Sequence, residues 1–507
     1  MEQVKPRIEH VDVVVVGAGL SGINAAYRLQ EQCPTLTYTV LEARAAMGGT
    51  WDLFRYPGIR SDSDIFTFGF AFKPWKGDNP LAEGPEIQKY ITEAARDFGI
   101  DNHIRYGTKV LAADWDSHQD HWSLTLEVTT EDTVTVRQMT AGFVYLCAGY
   151  YRYDHGYTPF FEGIEDFAGT VVHPQTWPED LDYTDKRVVV IGSGATAVTL
   201  IPAMSPRASH VTMLQRSATW ISAIPRRDKM AETLRGKVPD KTLHSLMRTK
   251  NVLLRIAVYK FCMRWPDKAR AFLSGSAGKL LQDDTLVADH FTPTYNPWEQ
   301  RVCAAPGGDF FKAITSGRAD VVTDRIDRFV PEGILLKSGR VLEADIVVTA
   351  TGLEMLAAGG IKATVDGRNV DLNDRFMWRG AMVSGVPNMA VAIGYINASW
   401  TLRSDLTSRL VCKVLHHMKS NNINAIAPVA PPDLQKRPLL DLTSGYVLRA
   451  IHQFPHQGHV DPWRMRQNYL TDRLHTLRGG IGRELRPFPQ PTRAGTSDAN
   501  AAEKASI

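Results

Sequence analysis

A chain of 507 residues with 44% hydrophobic and 22% charged side chains can bury a large core, which excludes a disordered chain and points to more than one domain. Its net charge of +3 is too small for the footprint of a nucleic-acid binder and leaves small ligands as the expected partners. The five cysteines (Cys33, Cys147, Cys262, Cys303, Cys412) stand far apart with no CxxC pair, arguing against a disulfide framework, a metal site or a dithiol centre and for a reducing cytosol.

The N-terminal stretch MEQVKPRIEHVDVVVVGAGL runs from a charged lead straight into a strand. It has no signal-peptide core, and nowhere do about 18 uninterrupted apolar residues occur, so a cytoplasmic protein without membrane spans is expected. Val11 to Gly22 is an apolar β-rich run that breaks into glycines; INAAYRLQ then reads as helix and YTVLEA as a second strand. Gly17, Gly19 and Gly22 form GxGxxG in that βαβ context, with Glu42 closing the second strand. The glycines permit a tight turn and close backbone approach to a pyrophosphate at the helix N-terminus, and Glu42 can accept from a ribose hydroxyl. The loop that follows, Ala43 to Asp64, carries Gly49, Thr50 and Trp51 where a chain would pass a flavin edge, and Asp62 beyond the turn Tyr56-Pro57-Gly58.

The same grammar returns at Lys186 to Met204. Gly192, Gly194, Ala195 and Thr196 lie in the turn, and Ala197 replaces the third glycine. Here Gln215 takes the place of the acidic residue, followed by Arg216 and Ser217. A carboxylate would repel a ribose 2′-phosphate, whereas guanidinium and hydroxyl bind one, so NADP(H) is expected at this turn and FAD at the first. Strands ending near Cys147 and at Ala344 to Glu354 read as two crossings between domains. The expected fold is α/β with two dinucleotide-binding, Rossmann-like domains. The FAD domain is discontinuous (1–147 and 353–490), the NADP domain (148–352) is inserted with a helical excursion at about 226–290, and a disordered tail covers 491–507. Within the excursion, 244–270 holds seven Lys or Arg against the single acid Asp267, interleaved with Val252, Leu253, Ile256, Tyr259 and Met263. A basic amphipathic helix of this kind either lies on an anionic lipid surface, as a peripheral membrane anchor, or packs on its own domain.

The stretch FAGTVVHPQTWP supplies Phe167, Gly169, His173, Trp177 and Pro178 in the spacing F-x-G-x-x-x-H-x-x-x-W-P. Together with GGTW and RYPGIRSDSD, it resembles the fingerprint of the Baeyer–Villiger monooxygenases, a branch of the class B flavoprotein monooxygenases. Within that family the likeness is strongest to the mycobacterial ethionamide monooxygenase group, through HPQTWPEDLDY, VVVIGSGATAV, TMLQRS, YNPWEQR, GYINASWTL and GYVLR. The resemblance implies FAD reduced by NADPH, O₂ adding to the flavin as a C4a-peroxide, and attack of that peroxide on a ketone to give an ester, with S-oxygenation of sulfides or thioamides as a side activity. It also implies catalytic roles for Arg301, in YNPWEQR, and Asp62, its partner, with His173 acting at the domain junction. The Gly394 to Trp400 stretch is placed near the flavin, where a helix N-terminus faces the ring carbonyls. A single permanent cation suits this chemistry, because the peroxide must be anionic and arginine has no proton to lose. Two other readings remain open at this stage: a heteroatom (S/N) oxygenase, and a non-catalytic NADP(H)-binding redox sensor.

Overall fold

The computed structural model describes residues 8–77 and 79–488, so the tail at 491–507 lies outside the described residues. Strand β1 (Glu9–Val16) is a valine run buried on both faces, as a central parallel strand requires. It leads through the glycine turn into α1 (Leu20–Gln32) and β2 (Tyr38–Leu41), and β2 pairs with β1 in parallel. Three helices follow: α2 (Thr50–Leu53), α3 (Ile65–Phe68) and α4 (Gly84–Asp97), the last held by a capping box of Glu83 and Glu86. After β3 (Ile104–Arg105), an antiparallel meander runs through β4 (Thr108–Asp116), β5 (His121–Thr129) and β6 (Val134–Leu146).

A second sheet is built from β7 (Thr170–Val172), β8 (Arg187–Ile191), α5 (Ala195–Met204) and β9 (His210–Gln215). The short β10 (Ile221–Ile224) then gives way to four helices: α6 (Lys229–Leu234), α7 (Asp240–Arg264), α8 (Pro266–Leu281) and α9 (Asp284–His290). Next come β11 (Cys303–Pro306), α10 (Asp309–Thr315), β12 (Ala319–Thr323), the small sheet β13–β15 (Ile326–Val330, Gly333–Leu336, Val341–Glu343) and β16 (Ile346–Thr349). The order β12-β9-β8-β16-β7 is parallel throughout.

The chain then returns to the first sheet. Strand β17 (Lys362–Val365) pairs with β4, β18 (Arg368–Asn369) forms its edge, and Met389–Val391 pairs with β6, giving the main order β18-β17-β4-β5-β6-β1-β2-β3. Helix α11 (Trp400–Ser420) packs against α1, where buried Arg28 and Asp405 pair at 2.6 Å. Among the described residues no helix is long and apolar enough to cross a membrane, and no cluster of His, Cys, Asp and Glu could hold a metal ion.

The basic segment departs from the expected single helix. It is two helices, α7 and α8, broken at Trp265, because Pro266 opens α8 and forces the residue before it out of helical geometry. Several of its cations are also spent inside the protein. Arg248 is buried and donates to the carbonyls of Phe66 and Gly69 at 2.8 Å each, Lys250 pairs with Asp228 at 2.5 Å, and Arg255 donates to the Asp62 carbonyl at 3.0 Å. Val252 faces inward as well.

Candidate functional site

The first glycine turn is shaped by close approach. Gly17 has φ +101°, and a Cβ on Gly22 would sit 1.8 Å from the Gly17 carbonyl, so α1 can lie against β1 only without side chains there. Gly19, the N-cap of α1, makes no side-chain cap bond, leaving the first amides of the helix free for an anion. Its nearest neighbour is the backbone of Gly49, itself at φ +58°, so the loop after β2 lies directly over the turn. Glu42 is buried and both carboxylate oxygens are engaged, accepting from the Ala18 amide at 2.7 Å and the Arg44 amide at 2.9 Å. Burial raises its pKa against these two hydrogen bonds.

The second turn repeats the construction. Gly192 has φ +127° and a Cβ there would meet the Ala350 carbonyl at 2.3 Å, whereas Gly194 has open space around it. Gln215 is buried and bonds the His290 carbonyl and the Thr323 hydroxyl, so it ties β9 to its neighbours. Arg216 and Ser217 are exposed.

A cavity of about 1170 Å³ opens onto the second turn and onto the loop after β2 that covers the first, while Gly17, Gly19, Gly22 and Glu42 themselves do not line it. Thr50, Trp51 and Asp62 line it from the first unit, and Gly192, Gly194, Ala195, Thr196, Arg216 and Ser217 from the second. Arg301 enters it from the segment before β11, and Trp400 from the start of α11. Asp62 and Arg301 therefore share one cavity and act on each other electrostatically, without coming within 4.0 Å as an ion pair. The Arg301 Nη2 instead reaches the Tyr150 hydroxyl at 3.5 Å, and its Nε has no partner. The hydroxyl of Tyr150, with Tyr446, Tyr151 and Asp62, raises the Arg301 pKa above its ordinary value against the opposing effect of burial. Burial pushes the Asp62 carboxyl up, opposed by Arg301, Arg60 and Arg255.

The fingerprint residues do not line this cavity. Phe167 packs edge-on to Phe329 in the second unit, and a Cβ on Gly169 would strike the Asp345 carbonyl at 2.4 Å. Trp177 is partly buried against the core of the second sheet, and Pro178 follows it. His173 sits where the chain crosses between sheets. Its Nδ1 accepts from the Gln175 amide at 3.1 Å, which leaves the proton on Nε2 to be donated to the Gly352 carbonyl at 3.2 Å. The two crossings run side by side as an antiparallel ribbon, with Tyr151 bridged to Met355, Arg152 N to the Glu354 carbonyl at 2.9 Å and Tyr157 N to the Gly352 carbonyl at 3.0 Å. A Cβ on Gly156 would sit 1.9 Å from the His173 ring, so the ribbon is pressed onto the imidazole.

Residues 10–231 match a family described as flavin-binding monooxygenase-like. The FAD-containing monooxygenase EthA of Mycobacterium tuberculosis is 49% identical over 490 residues, 96% of this chain and 99% of the relative. The chain belongs to the flavin-binding monooxygenases of the EthA type. Another relative in this family is the probable FAD-binding monooxygenase AlmA of an Acinetobacter species, 45% identical over 92% of this chain and 93% of its own. The flavin-binding monooxygenase fold is shared with an oxidized steroid monooxygenase bound to NADP (TM-score 0.70, 24% identity, 84% of this chain and 88% of that one) and with a cyclohexanone-bound cyclohexanone monooxygenase (TM-score 0.69, 19% identity, 84% and 90%).

The tyrosines that surround Arg301 in this flavin-binding monooxygenase were not among the residues expected from the sequence. Tyr150 and Tyr151 come just after the break at 147–149 that ends β6, and a pair of aromatics past the carboxyl end of a parallel strand is a signal of a lined crevice. Tyr446, on the helix Gly445–Ala450, lies in the GYVLR stretch, whose likeness to the family carried no role for it.

Proposed function

We propose that the chain is an FAD-containing, NADPH-dependent monooxygenase that carries out Baeyer–Villiger oxidation of ketones to esters. The observation that carries the reading is one cavity holding Arg301 and Asp62 together with Thr50 and Trp51, from the loop that covers the first glycine turn, and Gly192, Gly194, Arg216 and Ser217 from the second unit. The residues fit the two cofactors. The Gly17–Gly22 turn has room for nothing but backbone, its helix N-terminus is uncapped, and Gly194 opens onto free space. In this reading 1–147 with 353–490 holds FAD and 148–352 holds NADP(H).

A flavin held there would pass two electrons from NADPH to O₂, one oxygen atom of which goes to the substrate and the other to water. Glu42, already tied to the Ala18 and Arg44 amides, keeps lone pairs for a ribose hydroxyl. Arg216 and Ser217 receive the 2′-phosphate. Arg301 keeps its charge at any working pH and offers a cation whose Nε is unclaimed to negative charge developing in the cavity. Asp62 supplies the counter-charge that holds the arginine toward the first unit. His173, with one nitrogen accepting and one donating, fixes the crossing against the second sheet and moves no proton in the reaction.

The test offers the purified protein a ketone and a sulfide together with NADPH and O₂ and identifies the products. Ester formation is expected. Sulfoxide alone would make it a heteroatom oxygenase, and failure to consume NADPH would leave a nucleotide-binding sensor.

A further inference from the structure

Helix α7 is apolar on two sides. Its inner side is accounted for: Leu243, Met247 and Val252 are buried, and Arg248, Asn251 and Arg255 reach the segment 62–69 that walls the cavity. The outer side is not. Leu254, Val258, Phe261 and Trp265 follow one another at helical spacing and are exposed by 58%, 45%, 36% and 47%, and Phe272 on α8 adds a side chain exposed by 69%. A helix that merely packs on its own domain shows solvent a polar face. Here the solvent side is a continuous apolar row.

Cations frame that row. Lys260, Arg264 and Lys268 are exposed, and no carboxylate lies within 4.0 Å of them among the described residues. Arg264 and Lys268 stand over the Trp265 ring at 5.6 and 6.0 Å, and Phe261 lies 5.8 Å from the same ring. From residue 241 to residue 281 the only acid is Asp267. An apolar row with a tryptophan and a cationic rim matches the layering of a membrane surface, where acyl chains take the apolar groups, indole sits at headgroup depth and anionic headgroups meet Lys and Arg. A second copy of this chain suits it less, since joining two such faces brings like charges together.

We propose that the outer face of α7 and the start of α8 docks the protein on an anionic lipid bilayer. The occupied face is the outer row, while Val252, Arg248 and Arg255 stay inside the protein. Because Arg255 on the inner side bonds the Asp62 carbonyl, the docking helix braces the segment that walls the cavity, and the cavity then lies one layer behind the docked face.

The full-length protein is floated with vesicles of phosphatidylcholine alone and of phosphatidylcholine with one third replaced by phosphatidylglycerol, at low and high salt. Binding to the anionic vesicles at low salt, released by salt and weak on the neutral ones, is expected. Lys260→Gln/Arg264→Gln/Lys268→Gln should weaken partitioning on the order of a hundredfold, at roughly one cation's contribution per residue. Leu254→Gln/Val258→Gln/Phe261→Gln should also weaken it while keeping its residual binding salt-sensitive. All six side chains are exposed, so both variants should unfold as cooperatively as the parent. Wild type that ignores both vesicles, or binds them equally, overturns the proposal without recourse to any variant. So does an apolar-row variant that floats normally but sediments, without lipid, as a smaller species than the parent, for then the face joins copies of the chain.

Discussion

Arg301 is the residue on which the proposed chemistry turns, and its surroundings say what removing it should do. It touches Tyr150 and lies far from the Gly17–Gly22 turn in sequence and in contact, so Arg301→Ala should purify yellow. Product formation should fall by about 10²–10³, the usual effect of deleting one preorganised electrostatic partner, with surviving NADPH oxidation appearing as hydrogen peroxide. Product, NADPH and peroxide measured in one mixture check this; an alanine variant that makes ester at near the parent rate would remove Arg301 from the mechanism. At the other end of the cavity, Arg216→Ala should weaken NADPH by about 10- to 100-fold and leave NADH unchanged, since a charge-assisted bond contributes roughly 1.5–3 kcal/mol. A titration with both cofactors reads it directly, and equal loss for both would move the 2′-phosphate elsewhere. His244 makes a different kind of prediction. It is buried with both ring nitrogens unpartnered, and burial, with the Arg248 charge, depresses its pKa to about 4 against the opposing pull of Asp64. An unfolded histidine titrates near about 6.5, so the folded form holds it neutral, and its contribution to stability is whole above that pH and lost as the pH falls towards 4. The unfolding midpoint should drop over that window, and less steeply in His244→Met. Arg301 and Asp62 were legible because they sit in short motifs. The tyrosines that actually contact Arg301 were not, since their proximity depends on three distant segments folding together.

The elements that join the two sheets carry the answer to the fingerprint histidine. Gly156 presses on the His173 ring, and the ring in turn bonds the opposite crossing at Gly352, so the two residues should be energetically coupled. Gly156→Ala alone should lower the unfolding midpoint, because its Cβ meets the ring at 1.9 Å and the backbone must shift. In His173→Ala the same glycine substitution should cost much less. A double-mutant cycle on thermal midpoints measures the difference, and strictly additive effects would mean that the contact transmits nothing. The glycine turns, their helices and the parallel strands could be read from the sequence because β-branched runs ending in glycine admit little else. The break at Trp265 was also written there, in Pro266, but a run of seven cations across it read as one helix. The sidedness of that segment was hidden because both of its faces are apolar, and periodicity alone does not say which face finds a partner.

At the scale of the whole molecule, the larger sheet is closed by strands from both ends of the chain, β1–β6 and β17–β18 with Met389–Val391. Those late strands are two to four residues long and carry no periodic signal, so only the existence of the return, not its pairing, could be anticipated. The sheets share the cavity and the paired crossings, and ligand at one should therefore be felt at the other. NADP⁺ at about a hundred times its Kd should stabilise the fold by about 2.7 kcal/mol. Flavin release and tryptophan emission followed through the same melt should shift together, and a shift confined to the tryptophan signal would show two independent units. The paired crossings also bear on how such a chain could be assembled. Tyr151 and Met355 are bridge partners, so the points where the inserted unit leaves and rejoins the first unit lie about one strand spacing apart. A two-residue turn is enough to close that gap, and a gene cut at these two places yields an outer piece whose ends already meet and an inner piece whose termini are neighbours. The inserted stretch thus leaves and rejoins at one place, but Leu243 and Met247 of its α7 pack into the core of the first unit, so cutting it out there would uncover apolar surface as well as closing a short gap.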